Sequence, residues 1–155
     1  MRVLVSDVLG DIGVKMFQEA EGIEVDVKTG LSPEALKEII GDFDALVIRS
    51  ATKVTADMLE AATNLKVIGR AGIGLDNVDI PAATKKGIAV MNTPEGNVVT
   101  TAEHAIAMML SLSRNIPTGT TTMKEGLWEK KRLQGREIFN KVLGVVGFGK
   151  IGPVA

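Results

Sequence analysis

The chain has 155 residues, 18 Lys+Arg against 19 Asp+Glu, a net charge of -1 and 45% apolar residues. This is about one domain's length with enough apolar content for a core, and its balanced charge gives no bulk electrostatic case for nucleic acid or an anionic membrane as partner. Cysteine is absent and no apolar run reaches bilayer-spanning length, which excludes disulfides and thiolate chemistry and leads us to expect a cytoplasmic protein.

The short apolar run at residues 3–5 reads as a buried strand, and residues 11–20 carry apolar positions at helical spacing. After Gly22, residues 23–27 alternate like an edge strand. Ser32-Pro33 is a helix start, with serine as cap and proline at the first helical position. Leu36, Ile39 and Ile40 supply that helix's apolar face, and Gly41 is expected to end it. Residues 45–48 form a third strand, Thr55 caps a helix expected to reach Asn64, and residues 65–68 form a fourth strand. A loop of three glycines and one arginine follows at residues 69–79, then a helix at 80–86, a fifth strand at 87–91 and a loop at 92–97. Strict alternation of strand and helix predicts an α/β fold, a doubly wound parallel sheet with helices on both faces.

Such sheets bind ligands at the carboxyl ends of their strands. The residues there are Ser6-Asp7, Arg49-Ser50, the loop containing Arg70, Gly72, Ile73 and Gly74, and residues 92–97. Alone, either Arg49 or Arg70 reads as a surface side chain or as a partner of Asp44 or Asp76. As a pair after successive strands they favour a carboxylate or phosphate, provided their strands are neighbours.

The character changes from Thr100. A helix that is apolar around most of its surface begins there, of a kind usually buried between layers or against another subunit. His104, the single histidine, reads as a packed residue rather than a general base. With no second histidine and no carboxylate cluster, neither a metal site nor a catalytic residue is assigned. Residues 117–136 read as a polar connector or an arm to another subunit, anchored by Trp128. Residues 141–146 read as a sixth strand, followed at once by Gly147-Phe148-Gly149-Lys150-Ile151-Gly152. A G-x-G-x-x-G directly after a strand is a dinucleotide-binding hypothesis. The acidic ribose-binding residue of that pattern would fall beyond Ala155.

Four stretches carry a family resemblance: residues 47–55, 69–79, 91–97 and 147–152. Together, in this order, they resemble the N-terminal part of the D-2-hydroxy-acid dehydrogenase family, over essentially the whole chain. The resemblance implies a flavodoxin-like substrate-binding domain over residues 1–98. It implies a connecting helix, a basic arm and the truncated start of a Rossmann domain over 99–155. It also implies NAD-dependent oxidation of 3-phospho-D-glycerate to 3-phosphohydroxypyruvate, in serine biosynthesis. By the same resemblance Arg49, Ser50, Arg70, Gly72, Ile73, Gly74 and Lys130 are substrate-binding residues. Ile73, Gly147, Gly149, Lys150, Ile151 and Gly152 are cofactor-binding ones. The family's catalytic arginine, glutamate and histidine have no counterpart here, so the polypeptide alone is expected to be inactive and not to hold NAD.

Other classes fit less well. A phospho-receiver module needs an aspartate after the third strand, where this chain has Arg49, and FMN binding needs a hydroxyl-rich loop where it has Ser6-Asp7-Val8-Leu9-Gly10. A non-catalytic, self-assembling domain is the alternative reading. Apolar surface left on the helix around Met108 and on residues 142–146 predicts a homodimer, with exchange of the C-terminal segment as one route.

Overall fold

The computed structural model describes residues 1–155, which divide into two units, Met1–Gly96 and Asn97–Ala155. In the first unit strand and helix alternate: β1 (Arg2–Val5), α1 (Asp11–Glu19), β2 (Glu24–Val27), α2 (Pro33–Ile39), β3 (Ala45–Ile48), α3 (Ala56–Ala61), β4 (Val67–Arg70), α4 (Ile80–Lys85) and β5 (Ala89–Asn92). All strand pairs are parallel, in the spatial order β2-β1-β3-β4-β5. From β1 the chain steps outward to β2, and every later crossover runs the opposite way. Right-handed crossovers therefore place α1 on one face and α2, α3 and α4 on the other. This is the doubly wound, flavodoxin-like sheet.

The core lies under the three-helix face. Leu4, Leu46, Ile48 and Ile68 from the sheet meet Leu36, Met58, Leu59 and Ala83 from the helices, with Ile40 and Phe43 at the edge of the layer. Burying each large apolar side chain contributes about 1.5–3 kcal/mol before entropy is counted. On the opposite face Val3, Leu9, Phe17, Val47, Val67 and Met91 line an apolar groove of about 430 Å³.

Helix starts follow their capping residues. The Ser32 hydroxyl accepts from Ala35 N–H at 3.2 Å, Thr55 from Met58 N–H at 3.3 Å, and the Asp79 carboxylate from Ala82 N–H at 2.9 Å. Helix ends differ from expectation. α2 passes at Ile40 into a single 3₁₀ turn, Ile40–Asp42, rather than running to Gly41, and α3 stops at Ala61 instead of Asn64. The Lys86 ammonium donates to the carbonyls of Leu59, which also accepts from Ala62 N–H, and Glu60 in the last turn of α3.

β4 is displaced by two residues from its expected position. Gly69 pairs with Val47 and Met91, and Arg70 with Ile48 and Asn92, so both belong to the sheet and the loop begins at Ala71. A ladder on both sides outweighs the poor strand propensity of glycine.

In the second unit α5 (Val98–Ser113) is followed by α6 (Ile116–Lys124), with Asn115 between them in the left-handed region at φ 53°. α5 leaves most of its apolar surface uncovered within this chain, as expected for the helix around Met108. Only Ala102 is buried, while Val99, Met108 and Leu112 are exposed, and so is His104. Within the unit α5 packs against α6, too little surface to cover an all-round apolar helix. α6 is unexpected in a stretch read as connector. Successive threonines satisfy their hydroxyls inside the helix, Thr120 donating to Ile116 O at 2.9 Å, Thr121 to Pro117 O at 3.1 Å and Thr122 to Gly119 O at 3.2 Å. The sixth strand expected over residues 141–146 does not form, and Trp128 is exposed rather than an anchor. An extended segment becomes a strand only by pairing its backbone with another, and this unit contains no strand to pair with. No helix is long and apolar enough to cross a membrane.

Candidate functional site

The polar residues of the first unit gather at the carboxyl end of the sheet. β1 and β3 are neighbours there, and their onward connections leave in opposite directions, which opens a crevice between them. Ser6-Asp7 line one side and residues 49–52 the other. Asp7 is buried, and its Oδ2 accepts from Arg49 N–H at 2.6 Å and Thr52 N–H at 3.1 Å, while its Oδ1 accepts from the Thr52 hydroxyl at 2.8 Å. Since the Thr52 proton is spent on Asp7, the Ser6 hydroxyl is the donor in the 3.0 Å contact between Ser6 Oγ and Thr52 Oγ1. Asn77, from the loop after β4, closes the far side. Its Nδ2 donates at 2.7 Å to both Arg49 O and Thr52 O.

Burial works to raise the Asp7 pKa. The hydrogen bonds from the Thr52 hydroxyl and from the N–H groups of Arg49, Thr52 and Ala51 outweigh it and hold the carboxyl below the ordinary aspartate value of 3.8. Because the folded pKa is depressed, Asp7 contributes stability in full above that ordinary value and loses it as pH falls through the lower, folded one. Thermal melts of the chain and of Asp7→Asn between pH 7 and pH 3 check this. The gap between their midpoints is expected to be widest at pH 7 and to close below about pH 4 as the carboxyl protonates.

β4 delivers Arg70 at the next strand end. Its Nη1 donates to Gly74 O and approaches Asp76 Oδ1 at 3.3 Å, while its buried Nε has no partner. The neighbouring glycines make room for this side chain. A Cβ on Gly74 would stand 2.9 Å from Arg70 Nη1, and one on Gly72 would stand 3.5 Å from Nε. β5 holds the same loop from the other side, Asn92 Nδ2 donating to Ile73 O at 2.7 Å and Thr93 N–H to Gly72 O at 3.0 Å. The loop's carbonyls are thus turned to the protein, while no backbone oxygen accepts from the N–H of Ile73 or Gly74. Those two donors and the Arg70 Nε suit an anion.

Arg49 and Ser50 are exposed at the end of β3, immediately after Ile48, the register partner of Arg70. The two arginines therefore stand on adjacent strands. Each is drawn to its own acceptor here, Arg49 Nη1 to Val8 O at 3.3 Å and Arg70 to Gly74 and Asp76. Asp7, Thr52, Asn77 and Asn92 shape these strand ends without having been given a binding role from the sequence, although Ser6-Asp7 and residues 92–97 were placed at the carboxyl ends of the strands. Asp7 carried a usable signal, an acidic residue directly after the first buried strand. Asn77 carried none, because its partners are backbone carbonyls 25 and 28 residues away.

The remaining candidates lie in the second unit. Lys130 is exposed in a turn. In the glycine-rich loop, Gly147 has φ +98°, and a Cβ on Gly152 would stand 2.6 Å from Gly147 O. The loop thus doubles back on itself as a phosphate-cradling turn does, with nothing within 4 Å of a Cβ built on Gly147 or Gly149. After it Val154 and Ala155 N–H donate to Ile151 O, a first turn at the helix position of that motif. Without the preceding strand, which does not form here, the loop presents only part of a pyrophosphate cradle, to which Gly147, Gly149, Lys150, Ile151 and Gly152 would contribute.

The chain is 50% identical over 151 residues to D-3-phosphoglycerate dehydrogenase of Synechocystis sp., covering 97% of this chain and 27% of that protein. The curated relative from Archaeoglobus fulgidus, with the same name, is 48% identical, and the chain spans 29% of its length. Among solved structures, NAD-dependent formate dehydrogenase from Staphylococcus aureus in complex with NAD matches at TM-score 0.87 and 29% identity, covering 99% of this chain and 51% of that one. The family model for the D-isomer specific 2-hydroxyacid dehydrogenase catalytic domain matches residues 3–145. With the doubly wound sheet and arginine-bearing strand ends already placed, that match assigns the chain to the D-isomer specific 2-hydroxyacid dehydrogenase family.

Proposed function

We propose that the first unit is the substrate-binding part of an NAD-dependent dehydrogenase that oxidises 3-phospho-D-glycerate to 3-phosphohydroxypyruvate, in the cytoplasmic synthesis of serine. The observation that carries this is the Arg70 loop, where a buried, unpartnered Nε and two free N–H groups share one strand end with the neighbouring Arg49. The names of the curated relatives support the substrate. Arg70 and the N–H groups of Ile73 and Gly74 hold the 2-hydroxy-carboxylate. Arg49 and Ser50 orient the second anionic group, and Lys130 serves a neighbouring subunit's substrate. Bound at the loop of Gly147–Gly152 and near Ile73, NAD would supply the hydride acceptor. The proton of the 2-hydroxyl needs a base, and His104, exposed on α5, makes no contact that would orient it. The chain alone therefore binds substrate without turning it over.

The exposed apolar groove of the first unit, and the exposed Met108, Leu112, Val142 and Val146 of the second, favour a homodimer. Calorimetric titration tests the reading. The chain is expected to release or absorb heat with 3-phospho-D-glycerate and not with NAD, to reduce no NAD when both are present, and to scatter light as two copies. Titration that gives heat with NAD alone, or with neither compound, would count against it.

A further inference from the structure

We propose that Asp7 and Asn77 are positioning residues for the anion site, fixing the loop of Arg49 and Ser50 before a ligand arrives. The proposal rests on the substrate-site reading above and deepens it. Both side chains are at least nine-tenths buried, with relative exposures of 6% and 9%. They work on opposite poles of the same four residues. Asp7 collects the N–H groups of Arg49 and Thr52, and Asn77 donates to the carbonyls of Arg49 and Thr52. A loop gripped at both its donors and its acceptors has little conformational freedom left to lose on binding.

The atoms chosen matter as much as the number of bonds. Asp7 takes the backbone N–H of Arg49, not its guanidinium, whose Nη1 reaches Val8 O instead. A carboxylate beside an arginine usually neutralises it by pairing. Here the negative charge is satisfied by Thr52 and by main-chain donors, so Arg49 keeps its cation for a ligand. Ser6 extends the chain of donors behind Thr52, away from the exposed end of Arg49.

A double-mutant cycle separates positioning from mere support of the fold. In the full chain, Asp7→Asn is expected to weaken 3-phospho-D-glycerate binding about tenfold, the scale of a lost charge-assisted hydrogen bond. In an Arg49→Met background the same change is expected to cost clearly less, because Asp7 acts through that loop and only Ser50 is then left for it to position. Amide hydrogen exchange at Arg49 and Thr52 should quicken in Asp7→Asn while exchange at Val5 and Val47 stays as it was. Asn77→Ser provides the same readings from the other pole should Asp7→Asn fail to fold. An undiminished affinity loss in the Arg49→Met background would overturn the proposal. So would unchanged exchange at Arg49 and Thr52, or unfolding of both variants. If the parent chain binds no 3-phospho-D-glycerate, it is the substrate reading that fails, and the exchange measurement alone decides whether Asp7 and Asn77 hold the loop.

Discussion

Replacing Arg70 by methionine is expected to weaken binding of 3-phospho-D-glycerate by about 10- to 100-fold, the equivalent of one or two charge-assisted hydrogen bonds. Methionine keeps an unbranched apolar stem under the loop and removes only the guanidinium, so the fold should survive and calorimetric titration can read the loss directly. Lysine at the same place should recover part of the affinity, since it restores the charge but not the planar fork. The structure also predicts a change in the opposite direction. Asp76 is exposed and approaches Arg70 Nη1 at 3.3 Å, where it competes with any incoming carboxylate. Asp76→Asn should therefore tighten binding, by at most about fivefold, the worth of an exposed ion pair. Unchanged affinity in Arg70→Met would remove this loop from the site.

The largest effect on stability is expected at Ile68. It is fully buried at the centre of β4, with strands on both sides and the helix layer over it. Ile68→Ala deletes apolar surface where the flanking ladders cannot close the space, a loss of about 2–5 kcal/mol. For a unit the size of Met1–Gly96 that lowers the melting midpoint by about 10 °C or more. Differential scanning calorimetry gives the answer. Because the two units can melt separately, the transition to follow is the one that Ile68→Ala shifts and a surface change in α6, such as Lys124→Ala, does not.

Much of the first unit is legible along the chain. The apolar runs at 3–5 and 45–48 stay buried wherever the helices go, and Ser32-Pro33 and Thr55 start helices by chemistry confined to four residues. Local rules read less well where a segment's structure depends on a distant neighbour. Gly69 and Arg70 look like loop by composition and become strand because β3 and β5 pair with them. Residues 141–146 look like strand by composition and stay unpaired in their own unit. α6 hides behind a glycine and four threonines of low helix propensity, and the hydroxyls of Thr120, Thr121 and Thr122 are satisfied only once the helix exists.

The candidate site divides in the same way. The sequence by itself pointed to the kind of chemistry, since two arginines after successive strands and a glycine-rich loop favour an anion if those strands are neighbours. It also determined the alternation that makes the sheet parallel. Only the tertiary structure decided that Arg49 and Arg70 occupy neighbouring strands. It likewise decided that Gly72 and Gly74 make room for the guanidinium of Arg70. Asn77, which holds the loop by its carbonyls, was invisible for a physical reason. Its partners are main-chain groups 25 and 28 residues away, and backbone atoms are the same in every residue, so no side-chain pattern records the contact.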